Sequence, residues 1–361
     1  MFVENQNSSS MIDQLSKIFQ NISISGKEIK SYTSFQDEYN ALKYGIGVVV
    51  SFNKTIIKLT GNDTLDFLHR ISTNDVKDLK SFHVASTLFL NEKGRFIDRT
   101  NLLNLENHFI LIGNSNHNRL LNWINKYIIT EDIQTQNVAE DFVVIDFIGP
   151  QSESFLTLLL GEEIKSLNGD NIVNTNVDGF NFFSFINNED KSLKYFRLLL
   201  QADKFSDFAD YLIENKSVFD LNFIGKDAYE IFRIENVIPA YPSEINDEIN
   251  PHENNLIHEV SFTKGCYIGQ EVIARLDTYD KVQWNLVKIT FDKPIETELP
   301  ITVFNELKEE VGEITSLAYS PITGQSIGLG FLRKKKISFK EKLFVEHDLE
   351  RIYLSTTESK N

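Results

Sequence analysis

Six short apolar segments, separated by turns, occupy the C-terminal part of this 361-residue chain. They lie at residues 286–291, 301–304, 311–318, 327–332, 343–345 and 351–355. Segments this short are rarely complete helices, and their close spacing is typical of strands in a small barrel or sandwich. The end of the chain is therefore predicted to form an all-β unit.

A β-hairpin is predicted upstream, where an apolar strand over residues 85–91 is followed by the turn Glu92-Lys93-Gly94. Gly94 suits a three-residue hairpin turn because glycine adopts positive φ without steric cost. Strands over 95–105 and 108–112 follow. Before this hairpin, residues 48–59 are predicted to form one strand.

A short helix is predicted after that strand. Asp63 is a good N-cap, and Leu65, Leu68 and Ile71 follow at helical spacing. Residues 11–24 also carry apolar positions at helical spacing, within an N-terminal region rich in Asn, Ser and Gln.

The middle of the chain has a β-α-β-β-α pattern. Strands are predicted at 143–148, 180–186 and 195–200, with one helix after the first strand and another over 203–215. This order is typical of a small α+β sandwich of the ferredoxin-like kind, and we predict such a domain over residues 141–222.

The composition, with 41% hydrophobic residues, is that of a globular protein large enough for two or three cores. No run approaches the ~20 apolar residues of a transmembrane helix, and the N-terminus lacks the features of a signal or transit peptide. We therefore expect a cytoplasmic protein without a membrane partner. The net charge of −16 disfavours stable nonspecific binding to nucleic acid.

Cys266 is the only cysteine, so the chain has no internal disulfide and cannot alone supply the four cysteines of a usual iron–sulfur cluster. Lys264 lies two positions earlier, and an ammonium close to a thiol favours the reactive thiolate. Gly265 and Gly269 would allow tight bends around it. A lone cysteine can equally be a small buried hydrophobic residue. The scattered histidines predict no metal site.

Residues 264–275 read Lys-Gly-Cys-Tyr-Ile-Gly-Gln-Glu-Val-Ile-Ala-Arg. This stretch resembles the signature of the YgfZ family, folate-binding relatives of the glycine-cleavage T-protein that help to maintain or assemble iron–sulfur proteins. The resemblance extends from about residue 45 to about residue 335 and includes Asn91-Glu92-Lys93-Gly94-Arg95 and Arg233-Ile234-Glu235.

The resemblance implies an α+β fold in which three domains form a T-protein-like ring around a central cavity. A variable tail, residues 1–40, would precede a folate-binding domain formed by 41–140 and completed by 223–282. The ferredoxin-like domain would follow at 141–222. Residues 283–361 would form the C-terminal β-barrel.

Site residues carry over from the same resemblance. Cys266 and Lys264 are the candidates for chemistry. Tetrahydrofolate or a derivative is the expected cofactor. The candidates for binding it are Asp98, Arg233, Asn74, Tyr267, Gln270, Glu271 and Arg275. Asp98 would face the pterin, whereas Arg233 would contact the folate or brace the pocket. Thr73-Asn74-Asp75 could line the cavity or simply form a turn.

The function implied is folate binding in support of iron–sulfur cluster assembly or repair, with a downstream effect on cluster-dependent tRNA modification. The expected partners are a reduced folate and iron–sulfur assembly factors or client proteins. Two alternatives stay open, an aminomethyltransferase acting with tetrahydrofolate and a non-catalytic binding protein. Arg99 disfavours the transferase. T-proteins commonly have two consecutive acids at this place, whereas here Asp98 is followed by Arg99.

Overall fold

The computed structural model describes residues 12–358, apart from positions 14, 20, 27, 116, 188–193, 280, 335–341 and 349. The chain divides into two compact units. The first comprises Met1–His69, Asp75–Thr87 and Arg99–Tyr229. The second comprises Arg70–Asn74, Leu88–Asp98 and Glu230–Asn361.

Short strands alternate with helices over the first two thirds of the chain, and strands alone follow. The strands up to the middle of the chain are β1 (Ser23–Ser25), β2 (Glu28–Ser31), β3 (Ile46–Ser51), β4 (Thr55–Thr60), β5 (His83–Leu90), β6 (Phe96–Asn104), β7 (Phe109–Gly113), β8 (Gln134–Asn137), β9 (Phe142–Ile148) and β10 (Val173–Val177). The later strands are β11 (Phe180–Asn187), β12 (Tyr195–Gln201), β13 (Leu221–Phe223), β14 (Trp284–Phe291), β15 (Ile301–Phe304), β16 (Glu310–Ser320), β17 (Gln325–Arg333), β18 (Leu343–His347) and β19 (Glu350–Glu358). The α-helices are α1 (Phe35–Tyr44), α2 (Thr64–Ile71), α3 (His117–Tyr127), α4 (Ser152–Leu160), α5 (Phe205–Asn215), α6 (Lys226–Glu235) and α7 (Gln270–Thr278).

A six-stranded sheet with the order β10-β11-β12-β9-β3-β13 forms the centre of the first unit. Its strands pair antiparallel except β13, which runs parallel to β3. Phe155 of α4 and Phe208 of α5 are fully buried in the same apolar cluster as the sheet. The predicted β-α-β-β-α order is therefore present, with β10 as an additional strand before β11.

The region from 48 to 59 differs from the prediction of one strand. Two strands, β3 and β4, lie there, and they belong to different sheets. The polar turn around Asn53 ends the first strand, and apolar alternation on both sides of so short a turn resembles one continuous strand.

The predicted hairpin is formed by β5 and β6, in a five-stranded sheet with the order β5-β6-β7-β4-β8. Gly94 in its turn has a φ of 69°. The N–H of Asn91 donates to the carbonyl of Arg95, and the N–H of Gly94 donates to the carbonyl of Asn91. The end of this hairpin, Leu88–Asp98, belongs to the second unit.

The six predicted C-terminal strands form a closed barrel with the order β14-β17-β16-β15-β18-β19. Alternate residues such as Val287, Ile289 and Phe291 on β14 point into a shared apolar core. The pairing of β14 with β19 closes the barrel, which leaves no strand edge open.

The region predicted as a tail, residues 1–40, contains β1, β2 and the beginning of α1. Helix α1 was not predicted. Its N-cap is Ser34, whose hydroxyl accepts a hydrogen bond from the N–H of Asp37. In the stretch 11–24, helical backbone is found at residues 12, 13 and 15–18, and β1 begins at Ser23. None of the helices in the described residues is both long and apolar enough to span a membrane.

Candidate functional site

The segment that we call the cysteine loop, residues 261–269, leads into helix α7. Its last residue, Gly269, caps the helix with a left-handed φ of 85°. A Cβ atom there would lie 2.7 Å from the carbonyl oxygen of Asn91 and 3.1 Å from the Cα of Gly94. The loop therefore packs against the hairpin turn at a distance that only glycine permits. Gly265 has open space around it.

The side chain of Lys264 is buried, with 8% of its surface exposed. Its ammonium donates hydrogen bonds to the backbone carbonyls of Ser72, at 2.6 Å, and Asn74, at 2.9 Å. It also lies 5.4 Å from the centre of the Tyr267 ring. The structure thus gives Lys264 the role of an anchor for residues 72–74. The sequence had suggested only its influence on the thiol.

Thr73 joins three parts of the second unit. Its N–H donates to the carbonyl of Leu88, and its hydroxyl accepts from the N–H of Leu88 at 3.1 Å. The same hydroxyl donates to the carbonyl of Glu259 at 2.8 Å, and the N–H of Ser261 donates to the carbonyl of Thr73. Residues 72–74 therefore connect strand β5 to the start of the cysteine loop. From the sequence, Thr73 was expected to line the cavity or to form a turn. Its hydrogen-bond partners could not be identified there, because they are distant in sequence.

Cys266 is exposed, and its thiol is free. The next residue, Tyr267, is buried, and burial raises the pKa of its phenol to about 12. The buried phenol of Tyr267 is thus neutral at physiological pH, and the residue before it carries an accessible thiol. The alternative that Cys266 is a small buried hydrophobic residue is not what the structure shows.

Helix α7 carries three of the predicted folate-binding residues, Gln270, Glu271 and Arg275. Glu271 lies in its first turn, where a carboxylate interacts favourably with the helix dipole, and Arg275 lies in its last turn. Both are exposed, whereas Gln270 is half-buried. Their side chains are accessible to a partner or ligand.

Asp98 lies on strand β6, and its side chain has no exposed surface. Ser72 is equally buried, and its hydroxyl has no hydrogen-bond partner among the described residues. Asn74 is half-buried. Buried polar groups normally have partners, so the Ser72 hydroxyl provides an unused donor and acceptor in this unit.

Arg233 on helix α6 is buried in a network of acids and carbonyls. Its guanidinium donates two hydrogen bonds to Glu230, one to the carboxylate of Glu244 at 3.1 Å and one to the carbonyl of Ile238. A further bond reaches the hydroxyl of Ser316 on β16. These contacts join helix α6 to the segment around Glu244 and to the barrel strand β16.

The sequence did not identify the ion pair between Arg95 and Glu253, whose nitrogen and oxygen atoms lie 2.7 Å apart. Glu253 is buried, and its burial raises the pKa of the carboxyl although Arg95 opposes that shift. A charged residue directly after a hairpin glycine was the only signal for Arg95. No group of three or more His, Cys, Asp or Glu side chains in the described part of the chain could hold a metal ion.

Two family models match the chain. The GCVT N-terminal domain matches residues 16–184, and the Glycine cleavage T-protein C-terminal barrel domain matches residues 285–359. Together they account for both the N-terminal α/β region and the closed barrel.

Curated relatives align over most of their length. A chloroplastic protein of Arabidopsis thaliana, named as a transferase, is 26% identical to this chain. The alignment covers 92% of this chain and 77% of that protein. The aminomethyltransferase of Staphylococcus carnosus is 22% identical, and the alignment covers 87% of this chain and 86% of that protein. The aminomethyltransferase of Thermotoga neapolitana is 24% identical, and the alignment covers 84% of this chain and 83% of that protein.

The crystal structure of the glycine cleavage system aminomethyltransferase T from Bartonella henselae has the same fold. It superimposes with a TM-score of 0.81 over 96% of both chains, at 17% sequence identity. The T-protein-like combination of helices and sheets and the C-terminal β-barrel, both expected from the resemblance, are therefore confirmed.

Proposed function

The chain carries both domains of the glycine-cleavage T-protein superfamily, and on this basis we propose that it is a folate-binding protein that supports the assembly or repair of iron–sulfur clusters. Cluster-dependent tRNA modification would be affected downstream. The aminomethyltransferase names of its relatives support the superfamily, and the YgfZ-like segment at residues 264–275 supports the branch.

The observation that carries the proposal is the exposed thiol of Cys266 on a loop with fixed ends. Lys264 holds one side of the loop to residues 72–74, and Gly269 packs against the hairpin turn on the other. An accessible thiol on a well-anchored loop can meet a partner protein in a defined orientation. A packing cysteine would need no such exposure.

The residues of the second unit fit a reduced folate in their chemistry. A bound folate would supply a carrier for a one-carbon unit. Asp98 would hold the pterin through its carboxyl. The hydroxyl of Ser72, which has no hydrogen-bond partner in the described part of the chain, offers one further donor or acceptor. Tyr267 offers a flat aromatic face. Gln270, Glu271 and Arg275 complete the proposed folate contacts, as does Asn74.

Cys266 acts, in this proposal, together with groups that the chain does not supply. Clusters are usually held by four cysteine thiolates, and this chain has one cysteine. Cys266 would therefore provide one ligand or one sulfur-handling thiol to an assembly factor or client protein. The cluster is the cargo of that encounter.

Complementation tests the proposal directly. The wild type, Cys266→Ser and the matched variant Thr263→Ser, which alters an exposed residue of the same loop, are expressed in a host that lacks its own YgfZ-family protein. We expect the wild type and Thr263→Ser to restore a cluster-dependent tRNA-modifying activity, and Cys266→Ser to fail although it melts at the same temperature. Equal rescue by both variants would remove Cys266 from the function, and failure of a well-expressed wild type would overturn the cluster role.

The aminomethyltransferase activity named for two relatives is the second candidate. The resemblance of Asp98 to the acid that assists transfer in T-proteins favours it. Purified protein is supplied with tetrahydrofolate and an aminomethylated lipoyl carrier. Turnover that Asp98→Asn abolishes would establish the transferase in place of our proposal.

Folate binding itself separates both candidates from a binding protein that has lost the cofactor. Tetrahydrofolate is titrated while the fluorescence of Trp123 and Trp284 is followed, and calorimetry checks the stoichiometry. We expect one saturable site per chain. Absence of heat and of a fluorescence change would favour the inert binding protein.

A further inference from the structure

A cleft of about 290 Å³ lies on the outer face of the C-terminal barrel, entirely within the second unit. Its floor comes from strands β14 to β17. Its side is formed by the segment 248–253 and by Arg95. The cleft shares the Arg95–Glu253 ion pair with the candidate site, and none of the residues proposed to contact folate lines it.

The strand register places the floor residues on one face. Trp284 pairs with Arg333 across β14 and β17, and Phe331 pairs with Glu313 across β17 and β16. Glu313 in turn pairs with Thr302 of β15. Leu332, which lies between Phe331 and Arg333, points into the apolar core of the barrel, so its two neighbours point outward.

Arg333 carries a positive charge that the described residues do not neutralise. Its guanidinium carbon lies 4.8 Å from the centre of the Trp284 ring, which fixes the guanidinium over the indole. Its Nε atom is buried and has no hydrogen-bond acceptor among the described residues. A guanidinium positioned over an aromatic ring keeps its N–H donors, which pair well with a carboxylate.

Carboxylates line the same cleft. Glu253 is paired with Arg95, whereas Glu248, Glu310 and Glu313 are exposed and have no cationic partner in the part of the chain that the structure describes. Three unpaired acids would disfavour a ligand that carries only negative charge. A ligand that pairs with both kinds of charge carries a carboxylate for Arg333 and an ammonium for the three glutamates.

We propose that this cleft binds a small zwitterion, a free α-amino acid or a dipeptide, between Arg333 on Trp284 and the carboxylates of Glu248, Glu310 and Glu313. Its volume is at the small end of the range for ligand pockets and matches a molecule of this size. The inference is independent of folate binding and of Cys266.

Fluorescence of Trp284 tests the proposal. Trp284 is the single tryptophan in a Trp123→Phe chain, so each signal reports on this cleft. The twenty proteinogenic amino acids and the dipeptide Gly-Gly are screened, and the compound with the largest change is titrated by calorimetry. We expect a saturable change for at least one of them. No response to any compound up to 10 mM, about the weakest affinity that a specific site would show, would overturn the proposal.

The charges of the ligand are then removed one at a time. The methyl ester and the N-acetyl form of the bound compound should each bind at least about tenfold more weakly, since each lacks one of the two charges. Equal binding of the ester would show that Arg333 does not hold a carboxylate, and equal binding of the N-acetyl form would exclude the acids. These comparisons use the folded Trp123→Phe chain and do not depend on the stability of a cleft variant.

The final comparison is between two arginines of the same barrel. Arg333→Gln should weaken binding at least about tenfold, whereas Arg351→Gln removes the same charge from a residue that stacks on Phe344 outside the cleft, and should leave the affinity unchanged. An equal loss in both variants would assign the effect to net charge and overturn the site.

Discussion

The ammonium of Lys264 donates a hydrogen bond to the backbone carbonyl of Ser72, 192 residues earlier in the chain. This bond and its companion to Asn74 attach the cysteine loop to the segment after helix α2. The position of the only thiol of the protein therefore depends on a contact between distant parts of the sequence.

Replacing Lys264 by Met should lower the free energy of unfolding by about 3 kcal/mol, because two carbonyls lose their charged donor in a buried setting. Urea denaturation measures the change. Lys281→Met serves as the control, because Lys281 is exposed and its ammonium lies over the Tyr279 ring rather than against buried carbonyls. Equal stability of the two variants would contradict the anchoring role.

Replacing Gly269 by Ala should cost about 2–4 kcal/mol, since the new Cβ combines a left-handed φ with a contact of 2.7 Å to the Asn91 carbonyl. Gly265→Ala, in the same loop, should cost less than about 1 kcal/mol because its Cβ meets no atom within 4 Å. Thermal unfolding of the two variants distinguishes these outcomes. A Gly269→Ala protein as stable as Gly265→Ala would show that the loop does not pack on the turn.

Replacing Arg233 by Gln should destabilise the protein by about 3–5 kcal/mol, because Glu244 is fully buried and would lose its charged partner. Glu230→Gln should cost less, since Glu230 is partly exposed. Chemical denaturation gives both values. An Arg233→Gln protein of unchanged stability that no longer binds tetrahydrofolate would instead make Arg233 a ligand contact.

His252 should make stability depend on pH. Burial lowers its pKa below the usual 6.5, although its bond to the Ile273 carbonyl and the charge of Asp277 oppose the shift and Lys334 adds to it. Below pH 6.5 the unfolded chain therefore takes up a proton that the folded chain does not. The free energy of unfolding should fall as the pH drops through this range, by at most about 1.4 kcal/mol per pH unit.

The measurement compares urea denaturation of the wild type and of His252→Gln at pH 7.5, 6.5 and 5.5. As the pH falls, the free energy of unfolding of the wild type should decrease relative to that of His252→Gln. A constant difference over the three pH values would show that His252 titrates alike in both states.

Local sequence signals were sufficient for much of the fold. The turn at Gly94, the short helix after Asp63 and the six barrel strands were predicted because each depends on neighbouring residues, through turn chemistry, helical spacing or alternation. Helix α1 was missed because its apolar positions are few and its N-terminal signal, Ser34, stands in a polar region.

The candidate site could be predicted only in part. The sequence identified Cys266, Lys264 and Gly269 as a group because they are close in the chain, but not the partners of Lys264 at residues 72 and 74 or the hydroxyl contacts of Thr73. Such contacts depend on tertiary packing, which leaves no periodic signal in a single sequence. The same reason applies to the pairing of Arg233 with Glu244 and Ser316.

Strand β13 pairs in parallel with β3, with Leu221 opposite Ile46 and Phe223 opposite Val48. During synthesis on the ribosome, β3 emerges long before its partner, and its outer edge has no cover until residue 223 has been made. An uncovered edge is a template for pairing with other chains. A nascent or truncated chain that ends before β13 should therefore be the form of this protein most in need of a chaperone.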